Sequence, residues 1–338
     1  MANLIVLTGN ECTLKSTFTS ELNNNLNGIY THFDKPKDML DGKRQYFDFL
    51  KNLNNTQPYI CDRYWEGELV YAPRFRGYSI NYMNELENEI VKDNNILYVH
   101  MKANLETILY RASVRGEDFV KPQQFNDISQ LFNQFILKQH LPFIEIDTSC
   151  KNDEKINVED NLKIILESYE KLNKIWDSLR GCSKCNITTT PLALPRGNIN
   201  AKYFVVGQNP GGRGKEKNQY VPIFSAGNTS QFLIDTLINA GIYKDSWLTN
   251  LVLCGTCDNK INKNLVDNCQ YNLKLQYDLI KPEKIFALGN ETYKYLKENF
   301  ENNLQDCEII LVEHPTYIKR FFSGKVDKLN EYMEKFKV

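Results

Sequence analysis

A short apolar run, Leu4-Ile5-Val6-Leu7, leads into Gly9-Asn10-Glu11-Cys12-Thr13-Leu14-Lys15-Ser16-Thr17 and then a segment of helical character. Strand, loop, Lys-Ser, helix is the order of a Walker A phosphate loop. The ATP site expected from it is Gly9, Leu14, Lys15, Ser16 and Thr17. Loop amides and the helix N-terminus would hold the β- and γ-phosphates, Lys15 would neutralise them, and Ser16 would ligate Mg²⁺. Leu14 stands where the pattern has Gly. A strand–turn–helix without a nucleotide is the alternative reading of this motif alone. A second candidate, Cys61-Asp62-Arg63-Tyr64, ends another apolar run, at the edge of a parallel sheet where ligands gather. Asp62 could take a proton from an acceptor hydroxyl or help position Mg²⁺, and Arg63 could bind a phosphate; a surface ion pair would look the same. In the segment Arg111 to Phe119, Arg111 and Arg115 are spaced i, i+4 at the end of a helix. That suits a lid whose cations close over a transferred phosphoryl group, although solvated helix charge has the same pattern.

The second half of the chain carries a different set. Cys182-Ser183-Lys184-Cys185 is followed by Cys254 and Cys269, with Cys257 as a spare. Four thiolates suffice for one [4Fe–4S] cluster or a zinc site, and spacing alone does not choose between them. Val205 to Gly212 is a strand running into a Gly/Pro turn that presents Gln208, Asn209 and backbone amides. Asn250 ends a buried strand, Leu248-Thr249-Asn250-Leu251, and a carboxamide can match both N3–H and O4 of a pyrimidine. His314, in Glu313-His314-Pro315-Thr316, could donate to O2 of a base as negative charge develops. Phe224 offers a stacking face for an extruded base. Each residue alone has a mundane reading: turn Asn, capping Asn, satisfied His, core Phe.

These residues need rigid elements to position them. Apolar runs at Leu4–Leu7, Gly28–Phe33, Tyr59–Cys61, Ile96–Met101 and Phe143–Ile146 alternate with helix-length amphipathic segments, which implies βαβ units and a parallel sheet covered on both faces. A second alternating series has strands predicted at Tyr203–Val206, Trp247–Leu253, Lys284–Leu288 and Glu308–Val312. The fold class is therefore α/β, with two three-layer αβα domains. The expected division is residues 1–150, a connecting helix at 151–178, and residues 179–338, and 338 residues suit two domains at roughly 150 residues each. Hydrophobic residues at 42% supply two cores, and a net charge of -1 neither requires nor excludes nucleic acid. No apolar run approaches the ~18–20 residues of a membrane span, and the N-terminus lacks the marks of a signal peptide. The expected location is cytoplasmic, so the nine cysteines should be thiols or metal ligands rather than disulfides.

Taken together, Gly9–Thr17, Asp62-Arg63-Tyr64 and Arg111–Asp118 resemble the thymidylate-kinase and deoxynucleoside-kinase branch of the P-loop kinases, over roughly residues 1–150. The stretch Glu66 to Gly77 is similar to forms found in bacteriophages. The resemblance implies ATP-dependent phosphotransfer and places Arg74 and Arg76 near the acceptor. Residues 178–325, roughly, resemble the uracil-DNA glycosylase superfamily, and most closely its iron–sulfur family 4 branch. The matching residues are Cys182/Cys185, Gly207-Gln208-Asn209-Pro210-Gly211, Phe224 ahead of Ala226-Gly227, Thr249-Asn250, Cys254, Cys269, Ala287-Leu288-Gly289 and His314-Pro315-Thr316-Tyr317. The resemblance implies that Asn250 and His314 hold a base and that Asn209 acts on the attacking water. Family 4 usually has another residue at that place, and an amide orients water without accepting its proton. The uracil-specific branch has Tyr where this chain has Gly211, so 5-substituted bases such as 5-hydroxymethyluracil would fit here. Three functions follow as expectations. The first is a DNA kinase phosphorylating 5-hydroxymethyluracil flipped out by the glycosylase-like domain. The second is a bifunctional thymidylate kinase and uracil-DNA glycosylase. The third is a nucleotide kinase tethered to a non-catalytic DNA-binding module.

Overall fold

The computed structural model describes residues 2–116, 120–150, 156–185, 192–210, 220–225, 227–255, 261–300 and 307–337. The chain forms two compact units, Met1–Leu172 and Asn173–Val338.

In the first unit, strands β1 (Ala2–Thr8), β2 (Ile29–His32), β3 (Tyr59–Asp62), β4 (Asn94–Lys102) and β5 (Phe143–Asp147) alternate with helices. The helices are α1 (Lys15–Leu26), α2 (Met39–Lys51), α3 (Glu66–Phe75), α4 (Met83–Asp93), α5 (Leu105–Arg115) and α6 (Phe125–Lys138). The sheet runs β2-β3-β1-β4-β5, and every pairing is parallel. Leu4, Ile5, Val6, Leu7, Ile60, Ile96 and Leu97 are all fully buried, as strands covered on both faces must be. The chain leaves β1 toward β2 on one side and leaves β3 toward β4 on the other. With right-handed crossovers these connections lie on opposite faces of the sheet. A crevice therefore opens beyond the carboxyl ends of β1 and β3, the place where such sheets bind ligands.

Helix α7 (Val158–Arg180) spans the division between the units. Its buried residues Leu162, Ile165, Tyr169, Leu172, Ile175, Trp176 and Leu179 recur at helical spacing.

The second unit contains β6 (Leu192–Leu194), β7 (Arg196–Gly197), β8 (Tyr203–Gly207), β9 (Tyr220–Pro222), β10 (Ser246–Asn250), β11 (Lys284–Leu288) and β12 (Glu308–Val312). Its helices are α8 (Asn228–Asn239), α9 (Lys263–Ile280), α10 (Asn290–Asn299), α11 (Pro315–Phe322) and α12 (Val326–Glu334). The main sheet runs β12-β11-β8-β10-β7, parallel except for the β10–β7 pair, and β6 pairs with β9 separately. Connections from β8 and from β10 again run in opposite directions, and a second crevice lies at the carboxyl edge. The strand expected at 247–253 stops at Asn250. Beyond it Leu251 and Val252 donate to the carbonyls of Gly207 and Gln208, which ties the ends of β8 and β10 together at the crevice.

Candidate active sites

The loop after β1 is shaped by tight approach. Gly9 has φ 139°, and a Cβ there would lie 2.1 Å from the Met101 carbonyl oxygen on β4. No other residue fits. Cys12, Leu14 and Arg63 occupy the left-handed region at φ 58°, 65° and 69°, at a cost of about 1–2 kcal/mol each. Leu14 takes that conformation immediately before α1, which is the reason the usual residue is Gly. Lys15 is buried and its Nζ donates to the Asn10 carbonyl at 2.5 Å. Burial, reinforced by the nearby Arg63 cation, pushes its ammonium down to about 8. Ser16 Oγ donates to Asp62 Oδ2 at 2.7 Å, so the two groups expected around Mg²⁺ already adjoin.

Asp62 and Lys15 face a cavity of about 630 Å³, lined also by Glu11, Cys12, Thr13, Leu14, Ser16, Thr17, His32, Arg63, Arg111 and Arg115. Arg63 pairs with Glu11 and lies 5.3 Å from the centre of the Tyr71 ring, whose hydroxyl donates to the same carboxylate. Burial raises the Glu11 carboxyl, but Lys15 and Arg63 together hold it below its ordinary range. Arg111 donates to the Cys12 carbonyl at 2.9 Å and to the Thr148 carbonyl at 2.6 Å, tying the helix of the expected lid to the phosphate loop. Glu117, Asp118 and Phe119 lie outside the described residues. Arg74 and Arg76 are not among the lining residues. Arg74 pairs with Asp127 at 3.3 Å, and Arg76 pairs with the buried Glu68. Glu11 and His32 are additions that sequence reasoning did not single out; an acidic residue inside the Gly9–Ser16 loop was the available signal.

The second unit holds a cavity of about 580 Å³ at its own carboxyl edge. Gln208, Asn209, Phe224, Asn250 and His314 all line it, with Leu288, Pro315 and Thr316. Gly211 lies outside the described residues. Asn250 is buried, and neither its Nδ2 nor its Oδ1 has a partner among the described residues. Such groups cost about 1–3 kcal/mol when left unmet, and the side chain that carries them lines the cavity. Gly207 makes room for this side chain, since a Cβ there would lie 2.3 Å from Asn250 Oδ1 and 3.0 Å from Phe224 Cζ. Asn209 Nδ2 donates to the Pro210 carbonyl at 3.3 Å. His314 caps α11, its Nδ1 accepting from the Thr316 amide at 3.2 Å. Burial holds its imidazole below the usual pKa. The neutral ring with Nδ1 as acceptor carries its proton on Nε2, which leaves one donor for a ligand oxygen.

Cys182, Cys185, Cys254 and Cys269 are free thiols. Burial raises Cys254 to about 12 and Cys269 to about 11, and each is pushed further by Cys185 and Cys182. From α9, Asn268 donates to Cys185 Sγ at 3.6 Å and Asn272 to Cys182 Sγ at 3.8 Å. Among the described residues, no three His, Cys, Asp or Glu side chains form a group able to hold a metal ion. Cys257 lies outside the described residues. No described helix is long and apolar enough to cross a membrane.

Residues 194–337 match the uracil DNA glycosylase superfamily. A type-4 uracil-DNA glycosylase of Pyrobaculum aerophilum is 30% identical over 131 residues, spanning 38% of this chain and 65% of that enzyme. The SPbeta prophage-derived uncharacterized protein YorR of Bacillus subtilis is 26% identical over 156 residues, spanning 45% of this chain and 93% of YorR. Among solved structures, deoxyadenosine kinase from M. mycoides matches 51% of this chain and 99% of its own, with 15% identity and a TM-score of 0.34. Residues 194–337 thus carry a uracil-DNA glycosylase superfamily domain.

Proposed function

We propose that this chain is an ATP-dependent kinase acting on a pyrimidine in DNA, the substrate being 5-hydroxymethyluracil extruded into the second unit's cavity. The observation that carries the reading is Asn250, whose buried carboxamide has no partner for its donor or its acceptor among the described residues, beside Phe224 and His314. N3–H and O4 of a flipped pyrimidine answer both groups. The His314 Nε2–H donates to O2, and Phe224 stacks on the ring. Gly211 stands in the sequence where the resembled uracil-specific branch has a Tyr that blocks C5, and that resemblance supports a 5-substituted base.

In the first unit, loop amides and Lys15 hold the β- and γ-phosphates of ATP, and Ser16 would hold Mg²⁺, which would neutralise charge on them. The acceptor hydroxyl oxygen attacks the γ-phosphorus, the bond to the β,γ-bridging oxygen breaks, and ADP leaves with that electron pair. Asp62 takes the hydroxyl proton. Arg63, Arg111 and Arg115 neutralise charge on the transferring group.

The four cysteines are assigned to a [4Fe–4S] cluster. Their thiols influence one another electrostatically, and the resemblance to the iron–sulfur family 4 branch supports a cluster over zinc. Asn268 and Asn272 already donate to two of the sulfurs. Bound there, the cluster would staple the Cys182–Cys185 and Cys254 segments to α9.

Asn209 in the same cavity favours a second reading, a nucleotide kinase joined to a glycosylase that releases uracil. Incubation with γ-labelled ATP and either dTMP or duplex DNA containing 5-hydroxymethyluracil separates the two. Label on the DNA is the expected result; label on dTMP with rapid release of free uracil would overturn the proposal.

A further inference from the structure

Arg196 is nearly solvent-free, at 1% exposure, and lies outside the cavity lining. Its guanidinium is a three-pronged tether. Nε donates to the Ile223 carbonyl at 2.7 Å, Nη2 to the Phe224 carbonyl at 3.1 Å, and Nη1 to the Tyr243 hydroxyl at 3.3 Å. Its own backbone is pinned on both sides. Trp176 Nε1 donates to the Pro195 carbonyl at 3.1 Å, and the Asn198 amide donates to the Ser246 carbonyl at 2.9 Å. Phe224 meanwhile holds the left-handed conformation, φ 49°, which an aromatic residue does not adopt unaided. Residues in such regions persist only when their surroundings over-determine them. Arg, with five donors in a rigid planar fork, can satisfy two successive carbonyls as no other side chain can.

We infer that Arg196 is a positioning residue that locks the Ile223-Phe224 turn, so that the Phe224 ring is pre-set as a stacking platform for the base. The inference rests on the base-binding reading of the cavity and deepens it. Pre-organisation matters because ordering a loop at the moment of binding subtracts from affinity. With the turn fixed beforehand, the stacking contribution, a factor of roughly 5 to 150 for one base on an aromatic ring, is realised in full.

The experiment is a double-mutant cycle in the full chain with Arg196→Lys, Phe224→Ala and the pair. The probe is duplex DNA containing 5-hydroxymethyluracil opposite 2-aminopurine, whose fluorescence reports extrusion of its partner. The same variants are assayed for phosphate transfer to this DNA. Arg196→Lys keeps the charge but loses the fork. We expect each single change to raise half-saturation by about 5- to 50-fold with kcat within twofold. The double variant should be no worse than Phe224→Ala alone. If the two factors multiply instead, or if Arg196→Lys extrudes the base as the parent does, the inference is wrong. Should Arg196→Lys fail to fold, Tyr243→Phe removes one prong, and the same non-additivity with Phe224→Ala is required. Unchanged capture by Phe224→Ala itself would instead remove the base-binding reading, and the inference with it.

Discussion

Replacing Asn250 by Ala should stabilise the second unit while removing its function. The Asn250 carboxamide is buried, and among the described residues neither of its polar atoms has a partner. Each such group costs about 1–3 kcal/mol, and water reaching it from the adjoining cavity recovers part of that. Truncation to Ala gives up the packing of one small side chain, about 1 kcal/mol. The net expectation is a gain of about 1 kcal/mol, or roughly 2–4 °C in melting temperature for a unit of this size. Capture of the base should fall by about 5- to 150-fold, corresponding to a lost hydrogen-bonding contribution of about 1–3 kcal/mol. Scanning calorimetry measures the first quantity, on the transition that a substitution confined to the first unit leaves in place. Titration of DNA containing 5-hydroxymethyluracil measures the second. A variant that melts several degrees lower and still captures the base would show Asn250 to be an ordinary structural amide, and the argument from its unmet groups would fail.

Lys15→Ala should abolish phosphate transfer and leave DNA affinity within twofold; transfer near the parent rate would remove the Gly9–Ser16 loop as the ATP site. Lys15 sits at about 8 in the free protein, and bound phosphate favours its charged form. ATP affinity should therefore be flat below that pH and weaken above it, approaching tenfold per pH unit with net proton uptake on binding, as calorimetry in buffers of different ionisation enthalpy would show. A flat profile to pH 9.5 contradicts this. Gly9→Ala places a methyl 2.1 Å from the Met101 carbonyl and should lose ATP binding with at least about 2 kcal/mol of stability, measured by urea unfolding. Protein purified without oxygen should be brown, and Cys185→Ser colourless and less stable; a colourless parent containing one zinc would replace the cluster while keeping the four ligands.

Much of this was legible because the local and global signals agree. The strands of both sheets read as apolar runs since covering both faces forces Leu4–Leu7 or Ile96–Val99 into continuous hydrophobicity. The departure at Leu14 was visible as a broken pattern, and its backbone conformation accounts for it. Asn250 and His314 could be placed at strand ends from sequence, and both line one cavity. Three short strands, β6, β7 and β9, escaped notice because two or three residues carry no periodicity. Arg196 was equally invisible. Its meaning lies in carbonyls 27 and 28 positions away, and nothing in the residues beside it foretells a buried guanidinium. The Glu11–Arg63 pair joins residues 52 apart for the same reason.

The hydrogen bond from the Thr316 amide to His314 Nδ1 also makes this imidazole a spectroscopic handle. The chain has only four histidines, and two of them, His100 and His140, lie against the carboxylates of Glu145 and Glu87. In a long-range proton–nitrogen correlation spectrum, the His314 ring should present the neutral Nε2–H pattern, set apart from those two. An oxygen arriving at Nε2–H would move that nitrogen and its proton while leaving the other rings in place. Occupancy of the second unit could then be followed in solution, residue by residue, without label, dye or turnover.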